Sequence, residues 1–217
     1  MLNRVKQIFT MIVNQIVNSV FISNTYILTI EKEQSCWLID CGDAEVLVEW
    51  IKKHKKKLVG IFITHSHFDH IYGLNKVIAT YPDCTIYISQ KGKEGLFSDK
   101  LNFSRYSGNK FTFQYDNIFI LADKDTVELF PNVFIYVMAT PGHDWSCLTF
   151  NTENHLFTGD SFLPDYKLMT KFPKSDKVQA KESLVKIKKM IELGARNVYP
   201  GHGNIKNSYD ANDIQMN

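Results

Sequence analysis

Cysteine pairs, long apolar runs, concentrated charge and internal repeats are all missing from this chain of 217 residues. Its four cysteines, Cys36, Cys41, Cys84 and Cys147, stand singly with no CxxC pair, which predicts free thiols in a reducing compartment and a cytoplasmic location. No apolar run is long enough to span a bilayer, and Asn14, Gln15 and Asn18 interrupt any signal-peptide core behind Arg4 and Lys6. The formal net charge is +2. The lysines at 52–57 and 186–189 read as solvated faces, so neither nucleic acid nor membrane is an expected partner. With no linker or low-complexity segment, residues 1–205 read as one domain. Residues 206–217 hold little that could pack and read as a loose tail.

What is there is an alternation of apolar strands and amphipathic helices. Strands are expected over Val5–Val13, Asn24–Ile30, Ser35–Asp40, Leu58–Ile63 and Thr85–Ser89. More are expected over Asp125–Phe130 and Asn132–Ala139, then a hairpin of 146–151 with 155–158, and a final strand at Val198–Tyr199. A first helix follows Asp43, with Val46, Leu47, Trp50 and Ile51 on one face, and a second covers Ile71–Ala79. The last helix starts at Asp176, with Gln179 in the capping-box position, and ends at Gly194. Lys91–Asn117 shows no clean period and reads as a helix followed by a covering loop rich in aromatics.

The densest chemistry lies in Thr64–His70, where His65, His67, Asp69 and His70 are metal-ligand types at metal-ligand spacing. The run sits between a buried strand and a helix, at a strand's C-terminal end where open α/β sheets place ligands. Side chains alternate in an extended segment, so His65 and His67 can point one way while Asp69 and His70 face a second point nearby. Three later strand ends repeat the pattern, each with a glycine before the ligand-type residue: Gly142–His143, Gly159–Asp160 and Gly201–His202. Five of the seven histidines belong to this set, and His54 and His155 read as surface residues.

HxHxDH followed by GH, GD and GHG resembles the metallo-β-lactamase superfamily, and the match runs from Asn24 through Ile39–Asp40–Cys41–Gly42 to Gly203. The resemblance implies an α/β fold, an αββα sandwich of two mixed β-sheets with outer helices. It also implies two divalent metal ions, zinc with iron or manganese as alternatives. One would be held by His65, His67 and His143 and the other by Asp69, His70 and His202, with Asp160 between them. Such a pair lowers the pKa of a bridging water toward ~7 and polarises the bond under attack. Asp69 would also orient the attacking oxygen and take its proton, which makes it the candidate catalytic residue.

Within the superfamily the pattern looks most like the glyoxalase II group of thioesterases. Asp160 stands where true β-lactamases carry Cys or Ser, and His67 departs from the HxExD of the flavodiiron branch. The helical domain that grips glutathione in that group has no counterpart after His202 here. The run Ser161–Lys171 also lacks the group's glycine- and arginine-bearing stretch. Tyr166, Lys167 and Lys171 are the candidate substrate-binding residues in its place, for a small thioester or ester with an apolar body and one anionic end. Two rival readings are a mononuclear iron persulfide dioxygenase, using the positions of His65, His143 and Asp160, and a non-catalytic metal-stabilised binding protein.

Overall fold

In the computed structural model, residues 10–214 are described, and they form four layers. The first sheet has the strand order β1 (Met11–Val17), β2 (Asn24–Ile30), β3 (Ser35–Ile39), β4 (Lys57–Phe62), β5 (Thr85–Ser89), β6 (Ile118–Leu121). β1, β2 and β3 pair antiparallel, and β3 to β6 run parallel. The second sheet has the order β11 (Asn197–Pro200), β10 (His155–Gly159), β9 (Leu148–Thr152), β8 (Val133–Ala139), β7 (Thr126–Phe130), antiparallel except for the β10–β11 pair. Helices α1 (Ala44–Lys53), α2 (Leu74–Thr80) and α3 (Gln90–Leu96) accompany the first sheet in sequence, and α4 (Lys177–Glu192) the second.

Period-two alternation builds the layers. On the first sheet, Ile27, Leu38 and Ile61 turn toward Leu47, Ile51, Leu74 and Val77 of α1 and α2. Their neighbours Tyr26, Leu28, Trp37, Ile39 and Phe62 turn the other way, onto Ile135, Val137, Phe150, Phe157 and Tyr199 of the second sheet. The far face of that sheet, with Leu156 and Val198, packs on Leu184, Ile187 and Ile191 of α4. The αββα sandwich of two mixed sheets is therefore the observed architecture.

Several local expectations change. The strand expected over Val5–Val13 lies partly outside the described residues, and within them β1 spans Met11–Val17 because Met11 and Val13 face the inter-sheet core in register with β2. Ile118–Leu121, for which no element is expected from the sequence, is a strand that follows the covering loop, since Ile118 and Leu121 face opposite cores. The second helix starts only at Leu74, after a 3-10 turn over Phe68–His70, because Gly73 N–H is tied to Cys41 O at 3.0 Å. Val46 is exposed, and α1 buries Ala44, Leu47 and Ile51. Asp176 caps α4 by accepting from the N–H of Val178 and Gln179, but its own N–H donates to Gly142 O, so the reciprocal half of a capping box is not made. The tail expected to be loose is packed over its described part. Lys206 pairs with Val198, and Tyr209, Ala211 and Ile214 close against the α4 layer, apolar positions too widely spaced to show a period.

Candidate metal centre

All seven ligand-type residues come together at one end of the sandwich. The chain leaves β4 extended, carrying His65 and His67, and tightens into the 3-10 turn that carries Asp69 and His70. His143 lies between β8 and β9, Asp160 directly follows β10, and His202 follows β11. Glycine is required at two of these approaches. A Cβ at Gly201 would stand 2.1 Å from Asp160 Oδ1, and Gly159, at φ +49°, would meet Thr64 Oγ1 at 2.6 Å.

Three donor groups emerge, each with ligand atoms within 4.8 Å of one another: His65, His67 and His143; His65, His70 and Asp160; Asp69, His70 and His202. The first and third are the two sets expected to hold separate ions. Asp160 stands between them, with Oδ2 at 3.4 Å from His143 Nε2 and 3.5 Å from His202 Nε2, and Oδ1 at 3.6 Å from His70 Nε2. Asp69 Oδ2 lies 3.2 Å from His202 Nε2 and 3.4 Å from His70 Nε2.

The donor atoms fit divalent metal ions. His65 Nε2, His70 Nε2 and Asp160 Oδ1 are buried without a hydrogen-bond partner, which buried polar atoms rarely tolerate. Their imidazole and carboxylate chemistry is that of borderline-to-hard cation sites. The opposite ring nitrogens are anchored. His70 Nδ1 donates to Asp40 Oδ2 at 2.8 Å, His143 Nδ1 to Met169 O at 2.9 Å, and His202 Nδ1 to Phe21 O at 3.1 Å. Thr64 Oγ1 donates its one proton to Asp40 Oδ2 at 2.8 Å and so accepts from His65 Nδ1 at 3.1 Å. In the neutral ring, each contact places the remaining proton on Nδ1 and leaves Nε2 free to face an ion at the centre. His67 is reversed: its Nδ1 meets His143 Nε2 at 3.0 Å, and its Nε2 lies 3.6 Å from Asp144 Oδ2.

Charge is distributed unevenly across the metal-free cluster. Burial opposes charge on His202, but Asp160 and Asp69 outweigh it and push the imidazole up to about 11. Burial also opposes charge on His70, where Asp69, Asp40 and Asp160 raise it to about 9. His65 and His143 are held low by burial. Asp160 stays well below the carboxylate range despite burial, because His70, His202 and His143 surround it.

Sequence reasoning missed the residues that act through others. Asp40 and Asp144 are buried carboxylates on two of the ligand histidines, and Asp40 appeared only as the end of a strand and as part of the Ile39–Gly42 run, with no role given to it. A buried-type strand ending in Asp before Cys–Gly was the available signal. Of the substrate candidates, Tyr166 and Lys167 line a cleft of about 890 Å³ over the centre, while Lys171 does not. Phe172 turns inward onto His67 and His143, with ring centroids 5.3 and 5.4 Å away, and leaves Lys171 exposed beside it. His54 is exposed and stacks on Trp50. His155 is half-buried and shares a 2.8 Å hydrogen bond with the Tyr199 hydroxyl, so it is not a plain surface residue. Among the described residues no helix is long and apolar enough to cross a membrane.

Comparison with known proteins places these features in a family. The model of the metallo-β-lactamase superfamily matches residues 18–202. A probable metallo-hydrolase of Streptococcus pyogenes serotype M6 is 30% identical over 86% of this chain and 82% of its own. A hydroxyacylglutathione hydrolase of Francisella philomiragia is 34% identical over 76% of this chain but 57% of its own length. The chain thus spans about half the length of the hydroxyacylglutathione hydrolases it matches. Among solved structures, that of the BLEG-1 B3 metallo-β-lactamase superposes with a TM-score of 0.82 at 26% identity, over 90% of this chain and 93% of that one.

Proposed function

The chain belongs to the metallo-β-lactamase superfamily, and we propose that it is a hydrolase which uses two divalent metal ions to cleave a small-molecule thioester or ester. The observation that carries this reading is the overlap of the donor groups: two triads of ligand atoms, with the Asp160 carboxylate reaching toward both. When bound, the ions supply Lewis acidity and lower the pKa of water toward ~7.

The remaining work falls to the chain's own residues. Asp69 faces the cleft and is held as a carboxylate, since His70 and His202 outweigh the cost of its burial. It orients the attacking water and accepts the proton at a carboxylate oxygen. Asp40, Met169 O and Phe21 O fix the rings of His70, His143 and His202, so the donor atoms do not reorganise during turnover. Phe103 and Phe172 wall the cleft and exclude water from one side. Tyr166 offers a hydroxyl to a substrate oxygen, and Lys167 a charge to an anionic end. Lys171 has no part in this reading.

Metal analysis of purified protein, joined to a panel of activated thioesters and esters, tests it. About two ions per chain and chelator-sensitive hydrolysis are expected. One tightly held iron with no hydrolysis would overturn it.

A further inference from the structure

The turn joining β1 to β2 is built from residues that its backbone disfavours. Phe21 and Ile22 are both left-handed, at φ +52° and +56°. Bulky and β-branched side chains rarely adopt this region, which glycine or asparagine occupies at little cost. Both side chains are also exposed, at 69% and 67%. Neither strain nor exposed apolar surface helps the fold. The turn's backbone is nonetheless fastened to the metal centre: Phe21 O accepts from His202 Nδ1 at 3.1 Å, and Ser23 Oγ donates to Asp69 O at 2.7 Å.

Both side chains line the cleft over that centre. A second apolar element lines the same cleft. Phe103, again left-handed at φ +64°, lies 5.4 Å from Phe172 between ring centroids and 4.9 Å from His67. Among the described residues that line the cleft, Lys167 is the only lysine or arginine. Three strained apolar side chains facing one cavity, outside every core cluster of the described residues, are what a site keeps when the missing packing partner is its ligand.

Resting on the hydrolytic reading above, we propose that Phe21–Ile22 and Phe103–Phe172 form a two-sided clamp for the hydrocarbon chain of an acyl substrate. The enzyme then selects apolar acyl thioesters or esters over short or polar ones. In the reaction, the oxygen of water joins the acyl carbon and one of its protons goes to Asp69, the bond to sulfur or oxygen breaks, Asp69 passes that proton to the leaving thiolate or alkoxide, and the acid product loses its remaining proton to solvent. The carboxylate product keeps its chain between the same walls.

The test is a series of acetyl, butyryl, hexanoyl and octanoyl esters and thioesters with one leaving group. The expected kcat/KM rises about threefold to fourfold per methylene while the chain is being buried. In a Phe21→Gly, Ile22→Gly double variant, Tm is equal or higher because strain is relieved, yet octanoyl substrates lose on the order of tenfold more rate than acetyl ones. Phe103→Gly is the second variant, relieving strain in the second apolar element, with the same split expected. A flat dependence on chain length, or an unchanged dependence in variants that fold, overturns the clamp. So does a fall in Tm in both variants, which would make the strained residues structural. If no acyl compound of any length is hydrolysed, the hydrolytic reading fails by itself. Calorimetric binding of acetate through octanoate to the metal-loaded protein then decides the clamp, supported by affinity rising with length and overturned by flat affinity.

Discussion

Replacing Asp40 by asparagine should cost metal affinity more than it costs the fold. Asp40 is 2% exposed and accepts three hydrogen bonds of 2.8 Å, from Thr64 N–H on Oδ1 and from Thr64 Oγ1 and His70 Nδ1 on Oδ2. Thr64 N–H can only donate, so the asparagine carbonyl must stay on that side and its NH2 must take the place of Oδ2. A donor there reverses the relay. Thr64 Oγ1 now accepts and turns its proton toward His65 Nδ1, and His70 must present a bare Nδ1. Both rings then carry their proton on Nε2, the atom aimed at the centre. Loss of such a partner typically weakens metal binding about 10–100-fold, or about 1.4–2.7 kcal/mol. Folding should lose about 1–2 kcal/mol, since one charge-assisted acceptor is exchanged and asparagine tolerates the φ of +60°. Asp40→Ala is the harsher control. It leaves three buried donors unpaired, at about 1–3 kcal/mol each before relaxation, against a total stability of about 5–15 kcal/mol. Competition with a chromophoric chelator measures the first quantity, and denaturant titration of the metal-free protein the second. A folded Asp40→Asn protein binding zinc within threefold of the native chain would refute the tautomer argument.

Asp69→Ala should cut kcat on an activated thioester by about 10²–10⁴-fold with an unchanged circular dichroism spectrum; a variant that kept most of its kcat would remove Asp69 from the proton path. Metal uptake should release about two protons per chain near neutral pH, since in the metal-free protein His70 titrates at about 9 and His202 at about 11, and both must give up a proton to bind. Affinity therefore rises with pH up to those values, and heats of metal binding that do not vary with the buffer's ionisation enthalpy would contradict it. Gly201→Ala should lower stability by about 2 kcal/mol and weaken metal binding, because its Cβ would stand 2.1 Å from Asp160 Oδ1. Chelator titration and thermal unfolding check the two effects.

The ligands were legible because metal chemistry restricts residue type and because glycine precedes three of them at strand ends. The layers were legible for a similar reason: strands such as β2, with every residue buried, and the Leu184–Ile187–Ile191 stripe of α4 carry their burial in their order. What stayed hidden depends on partners distant in sequence. Asp40 meets His70 thirty positions away and Asp144 meets His67 seventy-seven away, and nothing local marks either pairing. Phe21 and Ile22 escaped notice because an apolar pair in a turn looks like the end of a strand until its backbone angles are known. Lys171 does not line the cleft, where its neighbour Phe172 packs its ring against His67 and His143, and that one-residue difference in direction is not written in the sequence.

The seam between the sheets has a mechanical side. Asn24 N–H donates to Gly201 O at 2.7 Å, its side-chain amide donates to Pro200 O and Gly203 O at 3.0 Å, and Leu148 N–H donates to Thr64 O at 2.7 Å. These bonds stitch the first sheet to the second right at the ligands. His65, His67, Asp69 and His70 ride on one sheet, and His143, Asp160 and His202 on the other. A slide of one sheet over the other therefore changes the spacing between the two halves of the ligand set. Metal affinity becomes a shear gauge for the sandwich, and bound ions act as rivets across its two plates.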